Sequence, residues 1–318
     1  MKAAIINRFG PPEVLKIEEV EEPVPNDSQV LIKIQFAGIN PVDTKVRAGT
    51  SGMSKQLQLP AILGWDVSGT IEKVGKNVTE FKTSDEVFGC IGFPGLGKTY
   101  AEFTVADPKL ITKKPSNVSF EEAAAVPLAG LTAYQAINEH LKIIEGQKIL
   151  IQAAAGGVGH LAVQFAKLNG AFVAGTASGK NEDFLKSLGV DQFIDYKKEK
   201  FEDVFQNGDA VLDAMGGEIL YRSFSCVKKG GRVVCLPSST KNDPKAIELA
   251  QQLEVQMIWP MMHPIGEEMN IIARLMQHKK LHVKIDKIFS LDEIVDAHKA
   301  IETHNTDGKV IVKINYNR

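Results

Sequence analysis

Short runs of alternating and β-branched residues dominate the first third of the chain. Lys2–Ile6, Leu15–Val20 and Val30–Phe36 are bounded by Pro, Gly, Asn or Asp, the punctuation of strands. Val67–Val74 alternates and closes on Gly75-Lys76-Asn77, a turn signal. Glu86–Ile91 and Tyr100–Val105 continue the pattern, and long helical periodicity is scarce before residue 120. The expectation is an antiparallel, barrel-like β domain.

The texture changes near Ser119. Ser119-Phe120-Glu121-Glu122 places an N-cap before two acids and an alanine-rich run, which starts a helix. Strands and helices then alternate: strand Lys148–Ile151, helix Val158–Leu168, strand Phe172–Thr176, helix Glu182–Leu188. Phe193–Asp195, Ala210–Asp213, Arg232–Leu236 and Val255–Trp259 are further strands. Near-continuous apolar strands separated by helices indicate a parallel sheet covered on both faces. Helices over Glu267–Gln277 and Leu291–Glu302 follow, and Lys309–Ile314 alternates cleanly as a last strand. Periodicity alone leaves open which domain that strand joins.

The first parallel strand runs into Ala153-Ala154-Ala155-Gly156-Gly157-Val158-Gly159, and a helix opens at once. In the dinucleotide pattern G-x-G-x-x-G, Ala154 takes the first place, Gly156 the second and Gly159 the third. The second glycine lets a pyrophosphate approach the backbone, and the third lets helix and strand pack closely. The N–H groups around Gly156, Gly157, Val158 and Gly159, with the helix dipole, would hold the phosphates. The strand–turn–helix context turns a weak motif into a dinucleotide site.

An NAD site carries Asp or Glu at the end of the second strand, for the ribose 2′-OH. Here that region reads Ala174-Gly175-Thr176-Ala177-Ser178-Gly179-Lys180-Asn181, with no acid before Glu182. The hydroxyls of Thr176 and Ser178 and the charge of Lys180 suit a 2′-phosphate, so the expected cofactor is NADPH. Leu236 and Ser238 end the fifth strand of the sheet, on the edge where such folds hold ligands.

Composition removes several classes. The formal charge is −2, and no basic cluster offers a nucleic-acid footprint. Cys90, Cys226 and Cys235 are odd in number and far apart, which fits a reducing compartment and excludes a cysteine-rich zinc site. The apolar start, Ala3 to Ile6, is too short for a signal peptide. No run approaches the roughly 20 apolar residues of a membrane span. A cytoplasmic protein without membrane or nucleic-acid partners is expected. His278 and His282 lack the acid of H-E-x-x-H, and there is no G-x-S-x-G elbow.

Taken in order, several motifs resemble the medium-chain dehydrogenase/reductases, in their zinc-free quinone oxidoreductase and alkenal/enone reductase branch. They include Gly38-Ile39-Asn40-Pro41-Val42-Asp43, Gly64-Trp65-Asp66-Val67-Ser68-Gly69 and Asp85-Glu86-Val87-Phe88-Gly89. Ala124-Ala125-Val126-Pro127, Asp213-Ala214-Met215-Gly216-Gly217, Gly230-Gly231-Arg232 and Gly308-Lys309-Val310 follow. The resemblance implies an α/β protein. A GroES-like β-barrel catalytic domain would span 1–124 and return at 263–318. A Rossmann doubly wound parallel-sheet domain would bind NADPH over 125–262. It also implies a homodimer.

Zinc alcohol dehydrogenases carry a cysteine near the position of Asn40, and Gly-His-Glu where this chain has Gly64-Trp65-Asp66. No metal ligand is therefore expected, and hydrogen-bond donors must stabilise the oxygen of a quinone or enone substrate. Asn40 resembles the residue beside the nicotinamide. Alternatively it is a satisfied turn residue before proline. Asp43 would orient this loop or Lys45. The alkenal and enone reductases share Asn-Pro-Val-Asp-x-Lys with this chain, so Lys45 is either a proton donor near the enolate oxygen or a surface lysine on a short helix. Thr132 resembles the threonine near the nicotinamide ribose, or caps a helix start. Tyr196 resembles the tyrosine near the adenosine end. The expected activity is zinc-independent, NADPH-dependent reduction of quinones or α,β-unsaturated carbonyls. An enoyl-thioester reductase, a zinc-free alcohol dehydrogenase or a non-enzymatic NADPH-binding regulator would share the fold.

Overall fold

The computed structural model describes residues 1–314, and the counts below refer to these. The chain divides into two compact units: Met1–Leu131 with the segment from His263 onward, and Thr132–Met262. The change of unit falls inside the helix Pro127–Gln135.

The first unit is organised around Val30–Ile39, a strand of ten residues. One edge pairs antiparallel with Asp66–Val74, and the sheet continues through Glu86–Cys90 to Ile111–Lys113. Two short strands share the other edge. Phe103–Ala106 pairs with Val30 to Lys33, and Lys309–Lys313 pairs with Phe36 to Ile39. The last strand therefore belongs to the first unit, where Ile285–Ser290 joins it in parallel. Leu15–Glu19, Lys2–Ile6 and Ala61–Ile62 form a smaller antiparallel sheet.

Helix Pro41–Ala48 is too short for periodicity to reveal, but both its ends are specified. Pro41 supplies a preset φ in the first turn, and the Asp43 carboxylate accepts the Asn40 N–H. Gly49 stops the helix in the left-handed region at φ 81°. Helix Phe120–Ala125 starts as read, with reciprocal bonds between Ser119 and Glu122 of 3.0 and 3.1 Å. The C-terminal helical stretch opens as a 3-10 turn at Leu291–Glu293 and continues as Ile294–Glu302. His278 caps Gly266–Gln277 and His282 lies beyond it, so these two histidines do not share a helix.

The second unit holds a parallel sheet of six strands. Their spatial order is Gln192–Asp195, Phe172–Ala177, Lys148–Ile151, Gly208–Asp213, Val227–Cys235 and Gln256–Ile258. The order reverses between the first and fourth strands in sequence, the switch point where doubly wound sheets bind ligands. Leu150, Ala174, Ile194, Val211 and Val233, one from each of five strands, pack with Phe201 and Phe224 into one core. Among the described residues no helix is long and apolar enough to cross a membrane. All three cysteines are buried free thiols.

Candidate functional site

In the first unit the motif residues converge on a buried polar cluster at the ends of three adjacent strands. Gly38 faces Asp66 in the ladder, and a side chain at Gly38 would meet Asp66 Oδ2 at 2.8 Å. The glycine thus makes room for the carboxylate. Asp66 in turn pairs with Cys90, and Val310, next to Lys309, pairs with Ile39. Asp66 Oδ1 accepts the Leu128 N–H at 2.7 Å, and its Oδ2 accepts Asn40 Nδ2 at 2.9 Å. The Lys309 ammonium donates to Asn40 Oδ1 and to the Ile39 carbonyl, and lies 3.6 Å from Asp66 Oδ2. Asn40, Asp66 and Lys309 are each no more than 3% exposed.

Burial pushes the Asp66 carboxyl up and the Lys309 ammonium down, each opposed by the other's charge. The Cys90 thiol is pushed well up by burial and by the carboxylates of Asp66 and Asp43. Asp43 is fully buried, and desolvation raises it to about 7 against the opposing bond from the Asn40 N–H. Its Oδ2 accepts that N–H at 2.8 Å. Its Oδ1 faces the Tyr100 hydroxyl, and neither atom closes a well-formed hydrogen bond. Asp43 therefore fastens the loop through Asn40. Among the described residues no hydrogen bond or ion pair joins it to Lys45, which is half-buried two residues on.

A further buried group packs behind this cluster. His298 stacks edge-on to Tyr100 at 5.7 Å, and neither imidazole nitrogen has a hydrogen-bond partner. Burial, then the Arg47 charge, lowers it to about 3. Arg47 is itself buried, donating to the Gly10 carbonyl at 3.1 Å and pairing with Glu302 at 2.5 Å. Spacing gave no hint of this group, because its members lie on segments far apart in sequence.

In the second unit the glycine turn joins strand Lys148–Ile151 to helix Gly159–Leu168. Ala153 takes a left-handed φ of 51°. A side chain at Gly159 would meet the Ala153 carbonyl at 2.2 Å, so the third glycine permits the close packing of helix Gly159–Leu168 on its strand. At Gly156 the nearest atom would be that carbonyl at 3.2 Å, with nothing else within 4 Å, so its bare backbone leaves open space. Gly157 and Val158 lie in the turn, and the first helical turn offers N–H groups that lack intrahelical acceptors.

Thr176 is 3% exposed, and its hydroxyl donates to Gln152 Oε1 at 2.7 Å and accepts the Ala153 N–H at 3.1 Å. The residue shapes the turn from beneath. Ser178 is half-buried and Lys180 exposed on the short turn Gly179–Asn181. Tyr196, 57% exposed, follows the third strand. Beside it is an acid that reading the second strand missed. Asp195 Oδ2 lies 2.7 Å from where a Gly179 side chain would begin, with Lys198 3.5 Å from the carboxylate. Only the strand order brings the third strand's end against the second's. Thr132 lies within helix Pro127–Gln135, so it does not cap a helix start. The Leu236 N–H donates to the Asp213 carbonyl at 2.9 Å, and Ser238 opens the turn Ser238–Thr240. Asp213 is buried; its Oδ1 accepts the N–H groups of Met215 and Gly216, and its Oδ2 is unpartnered.

Residues 26–116 match the alcohol dehydrogenase GroES-like domain, and residues 188–312 match the zinc-binding dehydrogenase family. The chain is 38% identical over 331 residues to a 2-methylene-furan-3-one reductase of Solanum lycopersicum, covering 98% of this chain and 79% of that protein. It is 33% identical to the chloroplastic NADPH-dependent alkenal/one oxidoreductase of Arabidopsis thaliana, with coverages of 98% and 79%. A quinone oxidoreductase from Coxiella burnetii superposes with a TM-score of 0.94 at 39% identity, over 99% of both chains. With the two-unit fold, the reversed strand order and these likenesses along nearly its full length, the chain belongs to the medium-chain dehydrogenase/reductase superfamily of nicotinamide-dependent oxidoreductases.

Proposed function

We propose that this protein reduces quinones or α,β-unsaturated carbonyls with NADPH and without zinc. The observation that carries this reading is the chemistry at Asn40 and Trp65, the positions where zinc alcohol dehydrogenases resemble it but hold a cysteine and a histidine. The Asn40 amide is bonded to Asp66 and Lys309. The Trp65 indole donates to the Gly95 carbonyl at 2.7 Å and offers no lone pair. A zinc ion here would meet the Lys309 ammonium, an amide already engaged, and a carboxylate, Asp66, already bonded to Asn40 and to the Leu128 N–H. These residues do not fit zinc, so stabilising the substrate oxygen falls to hydrogen-bond donors.

The glycine turn fits a dinucleotide, with Gly156, Gly157, Val158 and Gly159 for its pyrophosphate. Ser178, Lys180, Tyr196 and Lys198 lie at the ends of the second and third strands, where a 2′-phosphate would be read, and Lys198 offsets the charge of Asp195 there. When bound, the reduced nicotinamide supplies a hydride. The chain's own part is to hold donors against the oxygen that becomes negative. Asn40 retains one Nδ2 hydrogen beyond the one given to Asp66, and half-buried Lys45 on the following helix supplies a cation and a proton. The enone, alkenal and quinone names of the relatives support the choice of electrophile.

The test is NADPH oxidation with a 1,4-quinone and a short alkenal, with and without a chelator. Chelator-resistant turnover on either is expected. Loss of turnover with chelator overturns zinc independence, and NADPH binding without turnover on either substrate overturns the reductase reading.

A further inference from the structure

The Asn40 side chain is gripped at both ends of its amide. Nδ2 donates to Asp66, Oδ1 accepts from Lys309, and the grip is closed off from water. An amide can exchange its oxygen and nitrogen by turning about its last bond. Turned here, the NH2 group would face an ammonium and the oxygen would face a carboxylate. Two charge-assisted bonds would become two repulsive contacts. Only one orientation survives, and in it a single Nδ2 hydrogen is left for a ligand. The Lys309 ammonium is spent on Asn40 Oδ1, the Ile39 carbonyl and the Asp66 charge, so it acts on a ligand only through this amide.

We propose that Lys309 is a positioning residue for the reduction, fixing through Asn40 the orientation of the one amide hydrogen that the substrate oxygen can use. This rests on the reductase reading above. Asp66 is the second half of the clamp. Its Oδ1 is fixed by the Leu128 N–H, which sets the plane in which Oδ2 receives Asn40.

The experiment compares the wild type with Lys309→Met and with the double variant Asp66→Asn/Lys309→Met. Readouts are kcat and KM for the better of quinone and alkenal, NADPH affinity by fluorescence, and the melting temperature. The single variant leaves the Asp66 charge buried alone and is expected to melt early. The double variant removes both charges and gives Asn40 an amide neighbour that accepts either orientation. It is expected to fold, to bind NADPH within about twofold of wild type and to keep its KM. Its kcat is expected to fall at least about tenfold, part of the ~10²–10³ lost when such a donor is deleted outright. A folded double variant with wild-type kcat overturns the proposal, as does one whose loss lies in KM or NADPH affinity alone. A double variant that does not fold also overturns it, because the clamp is then structural. Wild-type protein that turns over neither electrophile sinks the reductase reading instead. In that case the Asn40 side-chain amide resonances, distinct in wild type and averaged or displaced in the double variant, still decide whether the clamp fixes the amide.

Discussion

The Asp43 carboxylate accepts the backbone N–H of Asn40 at 2.8 Å, so the residue that starts helix Pro41–Ala48 is held by an acid buried in its first turn. Burial raises that acid to about 7. Between about pH 4 and pH 7 the folded protein holds a proton that the unfolded chain has released, so this group makes stability fall as pH rises. Asp43→Asn keeps an oxygen for the Asn40 N–H and removes the titration. Urea unfolding of the variant is expected to lose this slope, gaining relative to wild type by up to about 4 kcal/mol above pH 8. Parallel pH profiles for the two proteins would refute it.

His298 has the opposite sign. Its pKa of about 3 lies below the ordinary 6.5, so the unfolded chain takes up a proton that the folded chain refuses. The stability this protects is present above pH 6.5 and is lost as pH falls toward 3. His298→Phe keeps an aromatic ring beside Tyr100 and leaves no unpaired nitrogen. At pH 5 it is expected to be about 2 kcal/mol more stable relative to wild type than at pH 7. Equal differences at both pH values would count against the buried neutral imidazole.

Two glycines of the phosphate turn separate folding from binding. Gly159→Ala drives a methyl group into the Ala153 carbonyl and is expected to cost about 1–3 kcal/mol, lowering the melting temperature. Gly156→Ala brings its methyl group to 3.2 Å from the Ala153 carbonyl, a tight contact that a shift of a few tenths of an ångström relieves. It is expected to melt closer to wild type than Gly159→Ala while NADPH affinity falls at least about tenfold, because the methyl group blocks approach to the backbone. Calorimetry and a cofactor titration on both proteins test the contrast.

Lys180 is exposed at the end of the second strand. Replacing it by Ala is expected to weaken NADPH about tenfold to a hundredfold while leaving NADH within about twofold, the worth of one charge-assisted bond. Equal losses for both cofactors would assign the lysine to general electrostatics, and no loss would assign it to solvent.

Lys45→Ala is expected to lower kcat on alkenals about a hundredfold, the usual contribution of a positioned proton donor. Quinones, whose reduced oxygens are more acidic, are expected to suffer less. Unchanged alkenal turnover would leave Lys45 as a surface residue of its helix.

Local chemistry wrote most of this architecture into the chain. β-branched residues and the turn residues that bound them marked Lys2–Ile6, and an apolar run marked Lys148–Ile151, with the observed bounds. Helix Pro41–Ala48 escaped because two turns are too few for a period to show, although its caps are readable one residue at a time. The site was half legible. Asn40, Asp43 and the glycine turn stand in short motifs. Lys309 stood in one too, but nothing near Gly308 announces that its partner is Asn40, 269 residues earlier. Thr176 shows the reverse limit. A hydroxyl at a strand end suits a ligand, yet its neighbours Gln152 and Ala153 take it. Asp195 became visible only when strand order set the third strand beside the second.

The pairing of Val30–Ile39 with Lys309–Lys313 also sets a timetable for synthesis. The ribosome delivers Asp66 long before it delivers Lys309, the cation that faces it. At about 5–20 residues per second that interval is on the order of tens of seconds. Meanwhile Thr132–Met262, whose sheet draws every strand from one continuous stretch, has all it needs. During that interval the nascent first unit carries an open sheet edge and an uncompensated acid, the kind of exposed surface that chaperones cover.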